Sequence, residues 1–220
     1  HAGAENNVKV KVIYIDAEEV EKEGAVKFFQ SVDGILIPGG FGVRGNDGKQ
    51  ESIRFAREKN IPFFGICLGL QTAMIEFAKN VCGIQNATSQ EFDENASAPI
   101  IHFMADQKNV LKKGGTMRLG SYPCKITEGT KAHQIYGSSL ISERHRHRYE
   151  VNNAYREQME AKGMIFSGVS PDGSLVEMIE LNNHPWFVGC QFHPELKSSP
   201  LKAHPLFREF IKAALIKKFN

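Results

Sequence analysis

The most constraining feature of the sequence is an apolar run, Ile61–Ile66, that passes without a break into Cys67-Leu68-Gly69. An apolar pattern of helical period then continues through Phe77 and Ala78. A short run with no polar face belongs to a sheet covered on both sides. Similar units come before it. Val8–Ile15 (VKVKVIYI) alternates and then turns continuously apolar, which reads as a strand. Glu18–Phe29 reads as a helix with Val20, Val26 and Phe29 inward, weakened in its middle by Gly24. Gly34–Ile37 is a strand closed by Pro38, and Gln50–Glu58 a helix with Ile53 and Ala56 inward. Strands alternating with helices predict an α/β fold: an open, mostly parallel sheet flanked by helices.

Pro38–Gly48 (PGGFGVRGNDG) has five glycines in eleven residues and reads as a loop. Ala87–Gly115 reads as irregular and polar apart from Pro99–Phe103. Thr116–Leu119, Tyr122–Ile126 and His147–Val151 read as additional short strands, antiparallel to the main set, and Asn153–Lys162 as a helix. Met164–Ser167 and Leu175–Leu181 flank a Pro171-Asp172-Gly173 turn. Trp186–Phe192 is a hydrophobic strand ending at His193-Pro194-Glu195, and a last helix opens at Phe207–Phe210 and ends near Lys218. With no internal repeat, linker or low-complexity stretch, residues 1–220 read as one domain.

A formal charge of +2, from 27 basic and 25 acidic residues, argues against a large nucleic-acid footprint or a polybasic membrane surface. No apolar run approaches the roughly 18 residues of a membrane helix. The four cysteines, Cys67, Cys82, Cys124 and Cys190, form no CxxC pair or dense framework. That usage favours a reducing, cytoplasmic compartment.

Gly65-Ile66-Cys67-Leu68-Gly69 has the form of a nucleophile elbow, in which glycines two residues to either side make room for a tight strand-to-helix turn. The following helix directs its free N–H groups at the site, where they favour a thiolate and can receive an oxyanion. The competing reading is a buried structural thiol, the usual fate of a cysteine. Cys190, inside an apolar strand, reads as core. A cysteine nucleophile needs a histidine base, and the base an orienting acid. His193 follows a strand end, where open α/β sheets gather their sites, and Glu195 is two residues on.

Arg144-His145-Arg146-His147-Arg148-Tyr149 is the densest basic run. In a strand it would set the arginines on one face and the two histidines on the other. It reads as a solvated face, as RNA contacts or as a carboxylate clamp. A zinc site on His145 and His147 lacks further ligands at suitable spacing, so no metal is expected. The loop after Ile37 lacks the Lys-Ser/Thr of a P-loop and the GxGxxG spacing, but its backbone N–H groups suit an anionic centre.

The strings PGGFGVRG (38–45), GICLGLQ (65–71), GGTMRLG (114–120), RHRHRYEVNN (144–153) and NHPWFVGCQFHPE (183–195) resemble the class I, or triad, glutamine amidotransferases. They resemble most the domain at the C-terminal end of the CTP synthase family. The resemblance implies that Cys67, His193 and Glu195 are catalytic, and that the N–H groups of Leu68, Gly39 and Gly40 form the oxyanion hole. It places glutamine binding on Phe41, Gly42, Gln71, Glu91, Arg148 and Tyr149, with Glu91 meeting the ammonium and Arg148 the carboxylate.

The resemblance further implies that ammonia from L-glutamine passes to a separate N-terminal synthase domain that aminates UTP with ATP and Mg2+. GTP would be an allosteric activator, and the whole enzyme a homotetramer that needs no cofactor in this domain. Family domains begin with a strand and a helix ahead of His1–Gly3 and are longer around Glu18–Gln30, so those pieces are expected to be missing here. A non-catalytic binding module with this fold and a cysteine peptidase are the alternatives.

Overall fold

The computed structural model describes residues 1–103 and 117–219. In the first part, α1 (Ala2–Glu5), α2 (Ala17–Glu23) and α3 (Ala25–Phe29) precede β1 (Ile35–Ile37), α4 (Asn46–Glu58), β2 (Phe63–Ile66), α5 (Leu68–Asn80), β3 (Ala87–Ser89) and β4 (Ala98–Phe103). The second part holds β5 (Arg118–Ile126), α6 (Lys131–Tyr136), β6 (Leu140–His147), β7 (Tyr149–Val151), α7 (Arg156–Glu160), β8 (Met164–Val169), β9 (Val176–Leu181), β10 (Phe187–Cys190) and α8 (Pro205–Phe219).

A seven-stranded sheet runs β1-β2-β10-β9-β8-β5-β6. The α/β class holds, with parallel pairing in this sheet confined to β1–β2 and β2–β10. The four further strands, β9, β8, β5 and β6, join antiparallel, and β6 over Leu140–His147 is a strand the sequence reading did not expect. A second sheet orders β3-β4-β7.

Consecutive residues of β2 feed opposite cores, because side chains alternate across a strand. Phe63 packs with Ile53, Leu70, Met74 and Phe187 beneath α4 and α5. Phe64 joins Val188, Cys190, Phe192 and Phe210 beneath α8. Both phenylalanines are fully buried, each stabilising the fold by about 1.5–3 kcal/mol. Covering both faces is what required β2 to be apolar throughout.

Several expectations are corrected. Val8–Ile15 joins neither sheet, and Val10, Val12, Ile13 and Tyr14 are exposed. A strand needs a neighbour for its N–H and C=O groups, and hydrophobic pattern alone supplies none. The helix expected over Glu18–Phe29 is broken at Gly24 (φ 82°) into α2 and α3, which leaves Val26 exposed. The glycine loop is shorter than expected, because α4 already begins at Asn46 after left-handed Gly45. The two strands expected between Thr116 and Ile126 are one, β5, over its described length. His147–Val151 divides at Arg148, where the chain leaves the large sheet for the small one. Asn153–Lys162 is a 3-10 turn followed by the short α7. Within Ala87–Gly115, β3 and β4 are ordered strands, while residues 104–115 lie outside the described chain.

Candidate active site

β2 and β10 are parallel neighbours, with Gly65 opposite Gly189 and Ile66 opposite Cys190. Their carboxyl ends therefore emerge side by side, one leading to Cys67 and the other to His193. Cys67 has φ 51° and ψ −103°, a conformation L-residues rarely adopt and one that costs about 1–3 kcal/mol. The flanking glycines make it feasible. A Cβ on Gly65 would stand 2.7 Å from the Gly69 backbone, and one on Gly69 would stand 2.2 Å from the Ile37 carbonyl oxygen. The turn is thus clamped between α5 and β1, and Cys67 N–H is fixed by the Cys190 carbonyl at 2.7 Å. This is the elbow the sequence predicted. Cys67 is more enclosed than that motif suggests, at 5% exposed.

His193 Nδ1 lies 2.6 Å from Glu195 Oε1, which fixes the ring's tautomer and plane. The His193 backbone N–H donates to Arg144 O at 2.7 Å, tying the histidine to β6. Its buried Nε2 makes no hydrogen bond of standard geometry among the described residues. The Cys67 sulfur first, then Glu195, raise the imidazole pKa to about 10. The Gly39-Gly40 turn completes the cluster: Gly39 lies against both the His193 ring and Cys67, and Gly40 against Leu68.

The other expected positions gather around this centre in part. Gly42 N–H donates to Glu91 Oε1 at 2.8 Å. The Tyr149 hydroxyl is pushed up by burial and then by the charge of Glu91. Gln71 Nε2 donates to Tyr149 O at 3.2 Å. Arg148 Nε is buried with no hydrogen-bond partner among the described residues, an orphaned cationic donor. The Phe41 side chain does not join them; it is 89% exposed at the loop tip.

The two faces of the Arg144–Arg148 run separate as alternation predicted, and the structure buries the one that carries His145 and His147. It enters a polar cluster that sequence reasoning missed. His147 Nδ1 meets Tyr149 O at 3.1 Å, and a carbonyl can only accept, so Nδ1 carries the proton. With His147 neutral, its Nε2 accepts from His145 Nδ1 at 2.9 Å, which puts a proton on that atom. Burial first, then Arg118, lowers the His145 pKa to about 2 and that of His147 to about 3. Arg118 donates to Glu177 at 2.7 Å and to Glu150 at 3.3 Å. One guanidinium cannot neutralise two buried carboxylates, and burial drives Glu150 up to about 8. The cluster anchors Tyr149 and with it the adjacent Arg148. Among the described residues no group of three or more His, Cys, Asp or Glu side chains is arranged to hold a metal.

The family description Glutamine amidotransferase class-I matches residues 1–213. The chain belongs to the class I glutamine amidotransferases. CTP synthase of Geobacter metallireducens is 56% identical over 215 residues, covering 98% of this chain, and CTP synthase of Geotalea uraniireducens is 55% identical with the same coverage. The chain spans about 40% of the length of these relatives. The solved glutaminase domain of Trypanosoma brucei CTPS with bound acivicin superposes with a TM-score of 0.92 at 38% identity, covering 97% of this chain and 84% of that one. A solved structure from Thermoplasma acidophilum, assigned to a GMP synthase, shares the fold at a TM-score of 0.59 and 18% identity, covering 99% of this chain and 87% of that one. No described helix is long and apolar enough to cross a membrane, and all four cysteines are free.

Proposed function

We propose that this chain hydrolyses L-glutamine to glutamate and ammonia through a thioester on Cys67. The observation that carries the reading is the strained Cys67 at one strand end beside the Glu195-anchored His193 at the next. His193 takes the proton of Cys67, and the sulfur attacks the side-chain amide carbon of glutamine. Negative charge collects on the former carbonyl oxygen, facing the N–H groups of Leu68 and the Gly39-Gly40 turn. His193 gives its proton to the departing nitrogen, and ammonia leaves. The ring then takes a proton from water as that water attacks the thioester, and glutamate departs as the sulfur is restored.

The substrate is a zwitterion and needs one charge of each sign. Glu91 beside Gly42 suits the ammonium, and the unpartnered Arg148 Nε suits the carboxylate. Gln71 and Tyr149 border the same space, and Phe41 contributes through its backbone.

In the longer protein, the ammonia serves ATP-dependent amination of UTP to CTP. ATP and Mg2+ belong to a synthase region outside this chain, GTP activates hydrolysis, and the assembly is a homotetramer in the cytoplasm. Support for this comes from the name shared by the relatives and from the 40% share of their length. A non-catalytic binding module has one observation in its favour, the enclosure of Cys67.

Ammonia release from glutamine by the full-length protein, with and without GTP, tests the proposal, together with mass-spectrometric trapping of the Cys67 thioester. Arg148→Met should raise KM for glutamine at least tenfold while keeping its ability to label with an uncharged alkylating agent. A protein that releases no ammonia under any of these conditions is a binding module.

A further inference from the structure

Gln191 is a polar residue inside the apolar segment between β10 and His193, and it is fully buried. Its backbone N–H donates to Glu177 O at 2.8 Å, which fixes its position. Its side chain reaches both ways: Nε2 lies 3.6 Å from Cys67 Sγ, and Oε1 accepts from Gln71 Nε2 at 3.1 Å.

The two ends of a carboxamide are alike in shape and opposite in hydrogen bonding, and the chain of contacts decides which end is which. It starts at the carbonyl of Tyr149, which can only accept, so the group of Gln71 facing it is the NH2. The second hydrogen of that NH2 meets Gln191, so the atom there is the Gln191 oxygen. The NH2 of Gln191 is thereby turned toward the sulfur.

We propose that Gln191 is a further catalytic residue, whose side-chain N–H donates to Cys67 Sγ and stabilises it as the attacking thiolate. A neutral thiol is a weak acceptor and an anionic sulfur a strong one, so a fixed donor favours the charged form. The donor is already oriented before substrate arrives, so no reorganisation is needed at the moment of attack. Gln71 acts as a positioning residue by holding the amide of Gln191. His193 and Gln191 then serve one sulfur, the first by carrying its proton and the second by a neutral hydrogen bond. This inference rests on Cys67 being the nucleophile.

The test is the rate of Cys67 alkylation by iodoacetamide between pH 5 and 10, read by peptide mass in the full-length protein. Gln191→Met keeps the volume and removes the donor. Its profile should move to higher pH by about one unit, a roughly tenfold slower reaction near neutrality. Gln191→Glu keeps the shape and replaces the donor with an acidic group, and should shift the profile further. It provides the reading if the methionine variant melts early. A folded variant of either kind with the wild-type profile overturns the inference. Alkylation needs no glutamine, so a shifted profile in a protein that never hydrolyses glutamine would sink the proposed activity and leave the donor role standing.

Discussion

Gly39 lies so close to His193 that a methyl group on its α-carbon would stand 2.7 Å from Cε1 of the imidazole. The same methyl would sit 3.6 Å from Cys67 Cβ, an ordinary contact. Gly39 is therefore small to let the ring stand beside the sulfur. Its φ is not in the left-handed region, so alanine is tolerated by the backbone. Gly39→Ala should displace the ring and lower kcat for glutamine hydrolysis by about 10²-fold, with a melting temperature near that of the wild type. Steady-state kinetics paired with thermal denaturation decide it. Unchanged kcat would mean that the ring is not used where it stands.

Cys67→Ala should abolish ammonia release and labelling by thiol reagents at that position, because no other cysteine shares its setting. Cys190 is fully buried and bonds its thiol to Phe192 O at 3.4 Å. Cys190→Ser keeps that donor and should leave turnover within about threefold of wild type, since the residue packs in the core. Ammonia assays on both variants separate the nucleophile from the structural thiol. Residual activity in Cys67→Ala would remove the thioester from the mechanism.

The elbow was legible because its glycines are demanded by local sterics: Gly65 and Gly69 press on backbone atoms wherever this turn forms. His193 and Glu195 were legible because a long apolar strand ends beside them. What sequence could not show was pairing that depends on distant chain. Arg118, Glu150, Glu177 and the two histidines lie on four different strands, and only the sheet order brings them together. Val8–Ile15 carries a strand's pattern, yet pairing is a property of neighbours. Gln191 left one faint signal, a lone carboxamide in an apolar run two residues before the histidine.

Glu195 is the second-largest cause, after Cys67, of the raised His193 pKa of about 10. A raised histidine contributes stability that is complete below its unfolded value near 6.5 and is lost as pH rises through 10. Catalysis follows the same proton, because the imidazolium protonates the leaving ammonia. Glu195→Gln keeps a hydrogen-bond acceptor for Nδ1 and removes the charge. The alkaline limb of its kcat/KM profile should move to lower pH. An alkaline limb unmoved by the substitution would separate that ionisation from His193.

The buried cluster behind the site sets an opposing pair of pH dependences. His145 and His147 have folded pKa values of about 2 and about 3, below the unfolded value near 6.5. Their contribution to stability is complete above pH 6.5 and is lost as pH falls through that window, at about 1.4 kcal/mol per pH unit for each ring. Glu150, raised to about 8, does the reverse: its contribution is complete below pH 4.5 and is lost as pH rises through 8. Replacing Glu150 with Gln fixes the neutral form. In urea titrations, Glu150→Gln should match the wild type most closely at pH 5 and gain on it steadily toward pH 8.5. The gain arises because only the wild type must return a proton to Glu150 on folding, a step that grows costlier as pH rises from 4.5 toward 8. A difference between the two proteins that stays constant across this range would show that Glu150 is already charged at pH 5, and that Arg118 holds both carboxylates ionised.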